Sequence, residues 1–184
     1  MEAHSGFAHD QARHATSVTF CTLHANLVML PSTALRILSA VRNTLSAKDS
    51  TTVTVVGHSL GGALALLDGV FLSLQLSEDV TVKVISYGMP RVGNEAFANF
   101  VDSQLSGLVT HVNNMEDPIP TVPGMFLKFH HPSGEIHIQD SGAWDACPGQ
   151  DNPSKLCIVG DVNYIWKGRL NNHDGPYAGI AMGC

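Results

Sequence analysis

The chain has 184 residues, a length that suits one domain with one core. Apolar residues make up 44% of the chain and charged residues only 14%, and this balance excludes an intrinsically disordered protein. The formal net charge of −6, without any basic stripe, argues against a nucleic-acid-binding protein. We therefore expect a single globular domain over residues 1–184.

The first part of the chain alternates predicted helices with predicted strands. The helices are predicted over 34–47, 61–76 and 94–105, and the strands over 51–56, 80–88 and 107–114. Such alternation is typical of an α/β protein, in which a mainly parallel sheet is connected by crossover helices. After Asp117 the pattern changes. The segments 125–131 and 134–140, separated by Pro132–Gly134, predict a β-hairpin.

The pentapeptide Gly57-His58-Ser59-Leu60-Gly61 joins a predicted strand to a predicted helix and fits the pattern G-x-S-x-G. A serine at this place occupies a strained turn that lifts its hydroxyl clear of the strand end, while the glycines allow close backbone packing. The following helix directs its first amides to the same point, so the Leu60 amide would donate to an oxyanion. The alternative is a tight turn in which Ser59 only caps the helix. The two flanking elements favour a nucleophilic Ser59.

A serine nucleophile needs a base and a carboxylate that orients the base, in the chain order serine, acid, histidine on this type of fold. Asp117 follows a predicted strand and is held by Pro118 and Pro120, which suits an acid that must not move. We predict Asp117 as the acid. A simple turn-forming Asp-Pro is the alternative interpretation, and Asp102 and Asp140 are competing candidates.

The downstream candidates for the base are His130, His131, His137 and His173. The first three belong to the predicted hairpin, whereas His173 lies in a turn-rich segment that could reach over the sheet. We predict His173 as the base. His58 points away from a Ser59 at the apex of the turn, so we interpret it as a packing or supporting residue. A metal site built from the three hairpin histidines is a weaker alternative, since no carboxylate or cysteine completes it at a familiar spacing.

Two cysteines flank a polar loop that is rich in turn-forming residues. This placement of Cys147 and Cys157 favours a loop-closing disulfide, which would indicate an oxidising compartment. Two free thiols are the alternative. The chain has no C-x-x-C pair, which disfavours a zinc ribbon or a thioredoxin-like site.

Taken together, these motifs resemble the class 3 lipases, the filamentous-fungal triacylglycerol lipase family of α/β-hydrolases. The resemblance is carried by H-S-G-F at 4–7, V-T-V-V-G-H-S-L-G-G-A-L-A-L-L at 53–67, Y-G-M-P-R-V-G-N at 87–94, N-N-M-E-D-P-I-P-T-V-P at 113–123 and H-D-G-P-Y at 173–177. It implies Ser59 as nucleophile, Asp117 as acid and His173 as base. It also implies a Cys147–Cys157 bridge and a reaction that needs no metal or organic cofactor.

The sequence departs from the family pattern in two places. Family members carry a long segment before H-S-G-F that supplies the first strands, a second oxyanion donor and the lid. We therefore expect an N-terminally truncated chain in which V-T-V-V becomes an apolar sheet edge and Cys21 and Cys184 have no partner. Residues 18–33 interrupt the first helix and are predicted to be an insertion foreign to the family. They would come from a mispredicted gene model, a true insertion or a membrane-facing segment.

The leading hypothesis is a serine ester hydrolase of the triacylglycerol lipase type, which acts on lipid esters, including those at an oil–water interface, through an acyl-enzyme. The resemblance implies secretion, although the residues after Met1 show no secretory signal. Arg91 and Asn94 match a family motif and are interpreted as supporting structure. A feruloyl-type esterase of the same family and a non-catalytic fragment are the alternatives. The sequence indicates no nucleic-acid partner and no obligate protein partner.

Overall fold

The structure is a computed structural model that describes residues 33–182. Its helices are α1 (Thr33–Lys48), α2 (Leu60–Gln75), α3 (Glu95–Gln104) and α4 (Ile158–Asp161). Its strands are β1 (Thr52–His58), β2 (Thr81–Tyr87), β3 (Gly93–Asn94), β4 (Val109–Asn114), β5 (Phe129–His130), β6 (Glu135–Ile138) and β7 (Trp144–Cys147). Short 3₁₀ helices cover Ile119–Thr121, Met125–Leu127, Ile165–Lys167 and Leu170–Asn172. The predicted insertion at 18–33 lies outside the described residues except for Thr33, and so do Cys21 and Cys184.

A five-stranded sheet in the order β1-β2-β4-β6-β7 forms the centre of the fold. The first four strands are parallel, and β7 runs antiparallel to β6. Helix α2 connects β1 to β2, and α3 lies on the connection from β2 to β4. This arrangement confirms the predicted α/β class with crossover helices. It also brings the carboxyl ends of β1, β2 and β4 to one edge of the sheet, where the loops that follow them meet.

The predicted hairpin between 125–131 and 134–140 is wrong. Strand β5 pairs instead with β3 in a separate two-stranded sheet, and β6 lies between β4 and β7. The Asp102 carboxylate binds both the amide and the hydroxyl of Ser133, at 2.8 and 2.9 Å, and Gly134 accepts a hydrogen bond from the His111 amide. These long-range contacts place the residues after Pro132–Gly134 beside β4. The segment 134–140 therefore does not turn back to pair with 125–131.

Helix α2 packs closely on the sheet, which explains why it is apolar on most sides. Its buried residues are Gly62, Ala63, Ala65, Leu66, Gly69, Val70 and Leu72. A Cβ atom at Gly69 would come within 2.2 Å of Val84 Cγ2 in β2, so the glycine permits the close approach of helix and strand. None of the helices within 33–182 is long and apolar enough to cross a membrane.

Strand β1 lies at the edge of the sheet, with β2 as its partner among the described residues. Its side chains alternate between exposed and half-buried, and Val56 is 60% exposed. Within residues 33–182, this edge position matches the one expected from the sequence for V-T-V-V. Among residues 33–182 no strand pairs with the outer side of β1, and an edge of this kind can pair with further backbone.

Candidate active site

The turn between β1 and α2 places Ser59 in a conformation that ordinary side chains rarely adopt. Its backbone has φ 56° and ψ −128°, and its amide donates to the Tyr87 carbonyl at 2.9 Å. A Cβ atom at Gly57 would lie 2.1 Å from the Gly61 oxygen, so no larger residue fits at that position. The local sequence therefore forms a sharp elbow that presents the Ser59 hydroxyl at the carboxyl end of β1.

The backbone amides at the start of α2 lie beside Ser59. Leu60 is the first residue of α2, and the amides of Gly62 and Ala63 both donate to the Ser59 carbonyl. The first amides of a helix have no intrahelical acceptor and carry the positive end of its dipole. The Leu60 amide thus lies where it could stabilise negative charge that develops beside the Ser59 hydroxyl.

Asp117 lies three residues after the end of β4, and its side chain is completely buried. One carboxylate oxygen, Oδ1, accepts from the Ile119 amide at 2.9 Å, and the other, Oδ2, accepts from His173 Nδ1 at 2.8 Å. Burial raises the pKa of the Asp117 carboxyl above its usual value, while the hydrogen bond from His173 opposes that rise. A buried carboxylate of this kind is oriented by its loop rather than by solvent.

His173 follows the 3₁₀ helix Leu170–Asn172 and completes a chain of hydrogen bonds. Its Nε2 lies 2.7 Å from Ser59 Oγ, while its Nδ1 faces Asp117. The Asn114 amide group at the end of β4 donates to the Asn172 carbonyl at 2.9 Å, which fixes the segment before the histidine. The structure therefore brings together the three side chains that the sequence predicted as nucleophile, acid and base.

Two further side chains hold the backbone of His173. His58 Nε2 lies 2.8 Å from the His173 carbonyl oxygen, and Tyr177 Oη lies 3.2 Å from the same atom. Because a carbonyl only accepts hydrogen bonds, His58 Nε2 must carry a hydrogen. The His58 and His173 rings lie 4.6 Å apart, between centroids. The sequence predicted only a packing or supporting role for His58, and it did not single out Tyr177.

Gly88, directly after β2, leaves the space in which these groups meet. Its φ is +54°, and a Cβ atom there would come within 2.7 to 2.9 Å of Tyr177 Oη, Asp117 Oδ2 and His173 Nδ1. The pKa of the Tyr177 hydroxyl is raised, mainly by burial, so this group stays protonated and donates its hydrogen bond to the His173 carbonyl. Gly88 was part of a sequence motif, but its importance is visible only once the three partners are assembled around it.

The competing acids lie away from this centre. Asp102 binds Ser133 and accepts from the Gln150 amide group at 2.8 Å, and Asp140 is exposed after β6. Neither has a contact with Ser59 or His173 among the hydrogen bonds of the described residues. Asp117 is therefore the carboxylate that the tertiary structure brings to the elbow.

The competing histidines have other partners. His131 Nε2 and His137 Nε2 lie 2.8 and 2.9 Å from the carbonyls of Pro120 and Met115, and His130 Nδ1 lies 3.4 Å from Asp151. Within 33–182 these three histidines do not gather at metal-ligand distances. Among the described residues, the group whose potential ligand atoms do lie that close together is Glu135 with the sulfurs of two cysteines.

Those two sulfurs belong to Cys147 and Cys157, which are joined in a disulfide with a Cα–Cα distance of 5.8 Å. Glu135 Oε1 accepts from the Ile158 amide at 2.7 Å. The cluster therefore consists of a bridge and a carboxylate that already has a backbone donor. It anchors the start of α4 to β6.

Known proteins are similar to this chain in sequence and in architecture. The family model described as "Lipase (class 3)" matches residues 2–127. A secreted mono- and diacylglycerol lipase of Malassezia globosa, MDL2, is 37% identical over 139 residues, which are 74% of this chain and 43% of that protein. Secreted mono- and diacylglycerol lipase 3 of Gibberella zeae is 32% identical over 155 residues, or 79% of this chain and 47% of that protein. The chain thus spans less than half the length of these curated relatives.

The solved structures that superpose on this chain are also lipases. Lipase II from Rhizopus niveus superposes with a TM-score of 0.75 at 26% identity, over 98% of this chain and 60% of that one. A triacylglycerol lipase in which a serine protease triad forms the catalytic centre superposes with a TM-score of 0.64 at 28% identity. That match covers 94% of this chain and 69% of the other.

Proposed function

The chain belongs to the class 3 lipase family of α/β-hydrolases, and on that premise we propose that it hydrolyses carboxylic esters of lipids with Ser59 as nucleophile. The observation that carries the proposal is the continuous hydrogen-bonded chain from Ser59 Oγ through His173 to Asp117. Serine, histidine and carboxylate in this geometry activate a hydroxyl that is otherwise a weak nucleophile.

The reaction proceeds in two halves. Ser59 Oγ attacks the ester carbonyl while His173 Nε2 takes its proton, and the Leu60 amide donates to the oxyanion of the tetrahedral intermediate. His173 then protonates the departing alcohol, which leaves an acyl group on Ser59. Water, deprotonated by the same histidine, releases the fatty acid. Asp117 keeps Nδ1 of His173 protonated and stabilises the imidazolium that forms in each half.

The relatives support acylglycerols as the substrate class, because those from Malassezia globosa and Gibberella zeae are mono- and diacylglycerol lipases. Their names also describe them as secreted. Extracellular location of this protein is in keeping with the Cys147–Cys157 disulfide, since such bridges persist in oxidising compartments. The substrate of this chain is accordingly a lipid ester, presented as a monomer or at an oil–water surface.

A fluorophosphonate probe tests the proposal, because it reacts with a serine only when that serine is activated. We expect the probe to label the full chain at Ser59 and labelling to disappear in Ser59→Ala. Ser73→Ala is the matched control, since Ser73 lies in the same helix, α2, and donates to the Val70 carbonyl instead.

Substrate class is measured in parallel on emulsified monoacylglycerol, diacylglycerol and triacylglycerol and on a feruloyl ester. We expect hydrolysis of acylglycerols that Ser59→Ala abolishes. Labelling of the wild-type chain no faster than that of Ser59→Ala would mean a non-catalytic chain. Preferential hydrolysis of the feruloyl ester would overturn the lipid assignment and leave the serine chemistry intact.

A further inference from the structure

The loop after Asp117 is held by a set of donors to successive carbonyl groups. Arg91, which is 2% exposed, donates from Nη1 to the carbonyls of Thr121 at 2.5 Å and Pro123 at 3.0 Å. Its own backbone amide donates to the intervening Val122 carbonyl at 2.9 Å. One arginine therefore binds three consecutive carbonyls of the loop that carries the proposed acid.

A fourth carbonyl in the same loop is bound by a histidine. His131 Nε2 lies 2.8 Å from the Pro120 oxygen, so this nitrogen carries the hydrogen and donates it. The His131 side chain is 1% exposed. From Pro120 to Pro123, every backbone carbonyl is thus engaged by either Arg91 or His131.

Both of these donors are anchored on one carboxylate, that of Asp151. Its Oδ1 lies 2.7 Å from Arg91 Nε and 2.7 Å from Arg91 Nη2, while its Oδ2 accepts from the His131 amide at 3.0 Å. His130 Nδ1 lies 3.4 Å from the same Oδ2. The Asp151 side chain is 2% exposed, so water does not compete for these contacts. Asp151 itself lies within the loop that the Cys147–Cys157 disulfide closes.

The position of Asp117 depends on this support. Its side chain has a backbone contact to Ile119 and a contact to His173, so the path of the loop decides where the carboxylate points. A displacement of about 1 Å in a reacting group costs on the order of 10²-fold in rate. An arginine fork that binds carbonyls in fixed directions limits such displacement, and a carboxylate on its other side fixes the fork.

We propose that Asp151 is a positioning residue for the catalytic acid and acts on Asp117 through Arg91 and His131. This inference rests on the proposed serine hydrolase function. Asp151 lies 34 residues further along the chain than Asp117 and has no contact with the triad, so it affects the reaction only by holding the loop Pro120–Pro123 in place.

Asp151→Asn tests the proposal, because it keeps the shape of the side chain and removes its charge. We expect labelling by the fluorophosphonate to slow by about 10–100-fold per folded molecule. On a soluble short-chain ester, kcat should fall while KM stays near its wild-type value, because the acid acts on the chemical step. Asp102→Asn is the matched control. Asp102 binds Gln150, the neighbour of Asp151, but has no contact with the Pro120–Pro123 loop. It should label at the wild-type rate.

A second pair of variants separates positioning from general stability. In an Asp117→Asn background, Asp151→Asn should slow labelling no further, since it acts through the acid that is already lost. Arg91→Lys keeps the charge opposite Asp151 but loses the fork to the carbonyls, so it should reproduce the slow labelling in a folded protein. Folding is checked by near-ultraviolet circular dichroism and by the melting temperature.

Each outcome is decisive. If Asp151→Asn and Arg91→Lys label as fast as wild type, or if Asp151→Asn slows labelling equally with and without Asp117, the inference is overturned. If the wild-type chain is not labelled, the proposed function fails and this inference fails with it. The positioning role is supported if Asp151→Asn and Arg91→Lys both label slowly and if Asp151→Asn causes no further slowing in the Asp117→Asn background.

Discussion

At the scale of the residue, Asp117, the proposed acid, lowers the stability of the folded protein when its carboxyl is ionised. Burial raises the pKa of its carboxyl in the folded protein, against the opposing hydrogen bond from His173. The unfolded chain therefore releases this proton at lower pH than the folded one. As the pH rises from the unfolded pKa through the folded pKa, the native state loses stability relative to the unfolded state. At neutral pH the proposed reaction needs the ionised carboxylate, although that buried charge is unfavourable for folding.

Asp117→Asn should accordingly separate the two properties. We expect a higher melting temperature at pH 7, because the buried charge is gone while the amide oxygen still accepts from Ile119. We expect kcat to fall by about 10⁴-fold, because the amide nitrogen now faces His173 Nδ1 and favours the wrong tautomer. Thermal denaturation and ester hydrolysis measure the two effects. A lower melting temperature with kcat intact would contradict this account of Asp117.

At the scale of the element, the contact between α2 and β2 sets how closely the helix approaches the sheet. Gly69 faces Val84 with no room for a side chain, whereas Gly61, near the start of the same helix, has no atom within 4 Å of a built Cβ. Alanine is a better helix former than glycine by about 1 kcal/mol. An added methyl group at Gly61 would therefore gain helix propensity without a packing cost, whereas at Gly69 it would clash with Val84.

Gly69→Ala should destabilise the protein in spite of its better helix propensity. The added methyl would lie 2.2 Å from Val84 Cγ2, so helix and strand must separate, at a cost of about 1–3 kcal/mol. Gly61→Ala serves as the control and should leave the free energy of unfolding unchanged or slightly raised. Urea denaturation of both variants measures the difference. Equal stability of the two would mean that the helix adjusts without loss.

At the scale of the whole molecule, a pair of buried histidines links stability to pH. The rings of His111 and His131 stack with 4.8 Å between their centroids, and each residue is only 1% exposed. Burial lowers the pKa of each ring, and for His131 the neighbouring His111, Arg91 and His130 add to this effect. For His111, the carboxylates of Glu135, Asp151 and Asp102 act in the opposite direction.

The native state should therefore lose stability as the pH falls below about 6.5, where histidines of the unfolded chain take up protons and these two do not. The slope is at most about 1.4 kcal/mol per pH unit for each histidine. Melting temperatures between pH 8 and pH 5 measure it. His111→Phe keeps the stacked ring and removes one titrating group, so its melting temperature should fall less over this range than that of the wild type. Equal slopes for the two proteins would show that His111 is not responsible.

The sequence was informative wherever the structure depends on neighbouring residues. The elbow at Ser59 could be predicted because its steric requirements lie within five consecutive residues, and the flanking strand and helix follow from local side-chain patterns. The hairpin was predicted wrongly because strand pairing depends on distant partners. Phe129–His130 pairs with Gly93–Asn94, and Asp102 binds Ser133. These partners lie far apart in the sequence, so a local pattern does not predict the contacts.

By itself, the sequence determined the α/β class, the elbow and a short list of acids and histidines for the candidate site, since chain order and residue chemistry limit these choices. Only the tertiary structure decided which candidates meet and what supports them. His58 reaches the His173 carbonyl across 115 positions, and Asp151 reaches Arg91 across 60. Contacts of this range form when the sheet and its loops close together, and their directions depend on backbone paths that the amino-acid pattern does not specify.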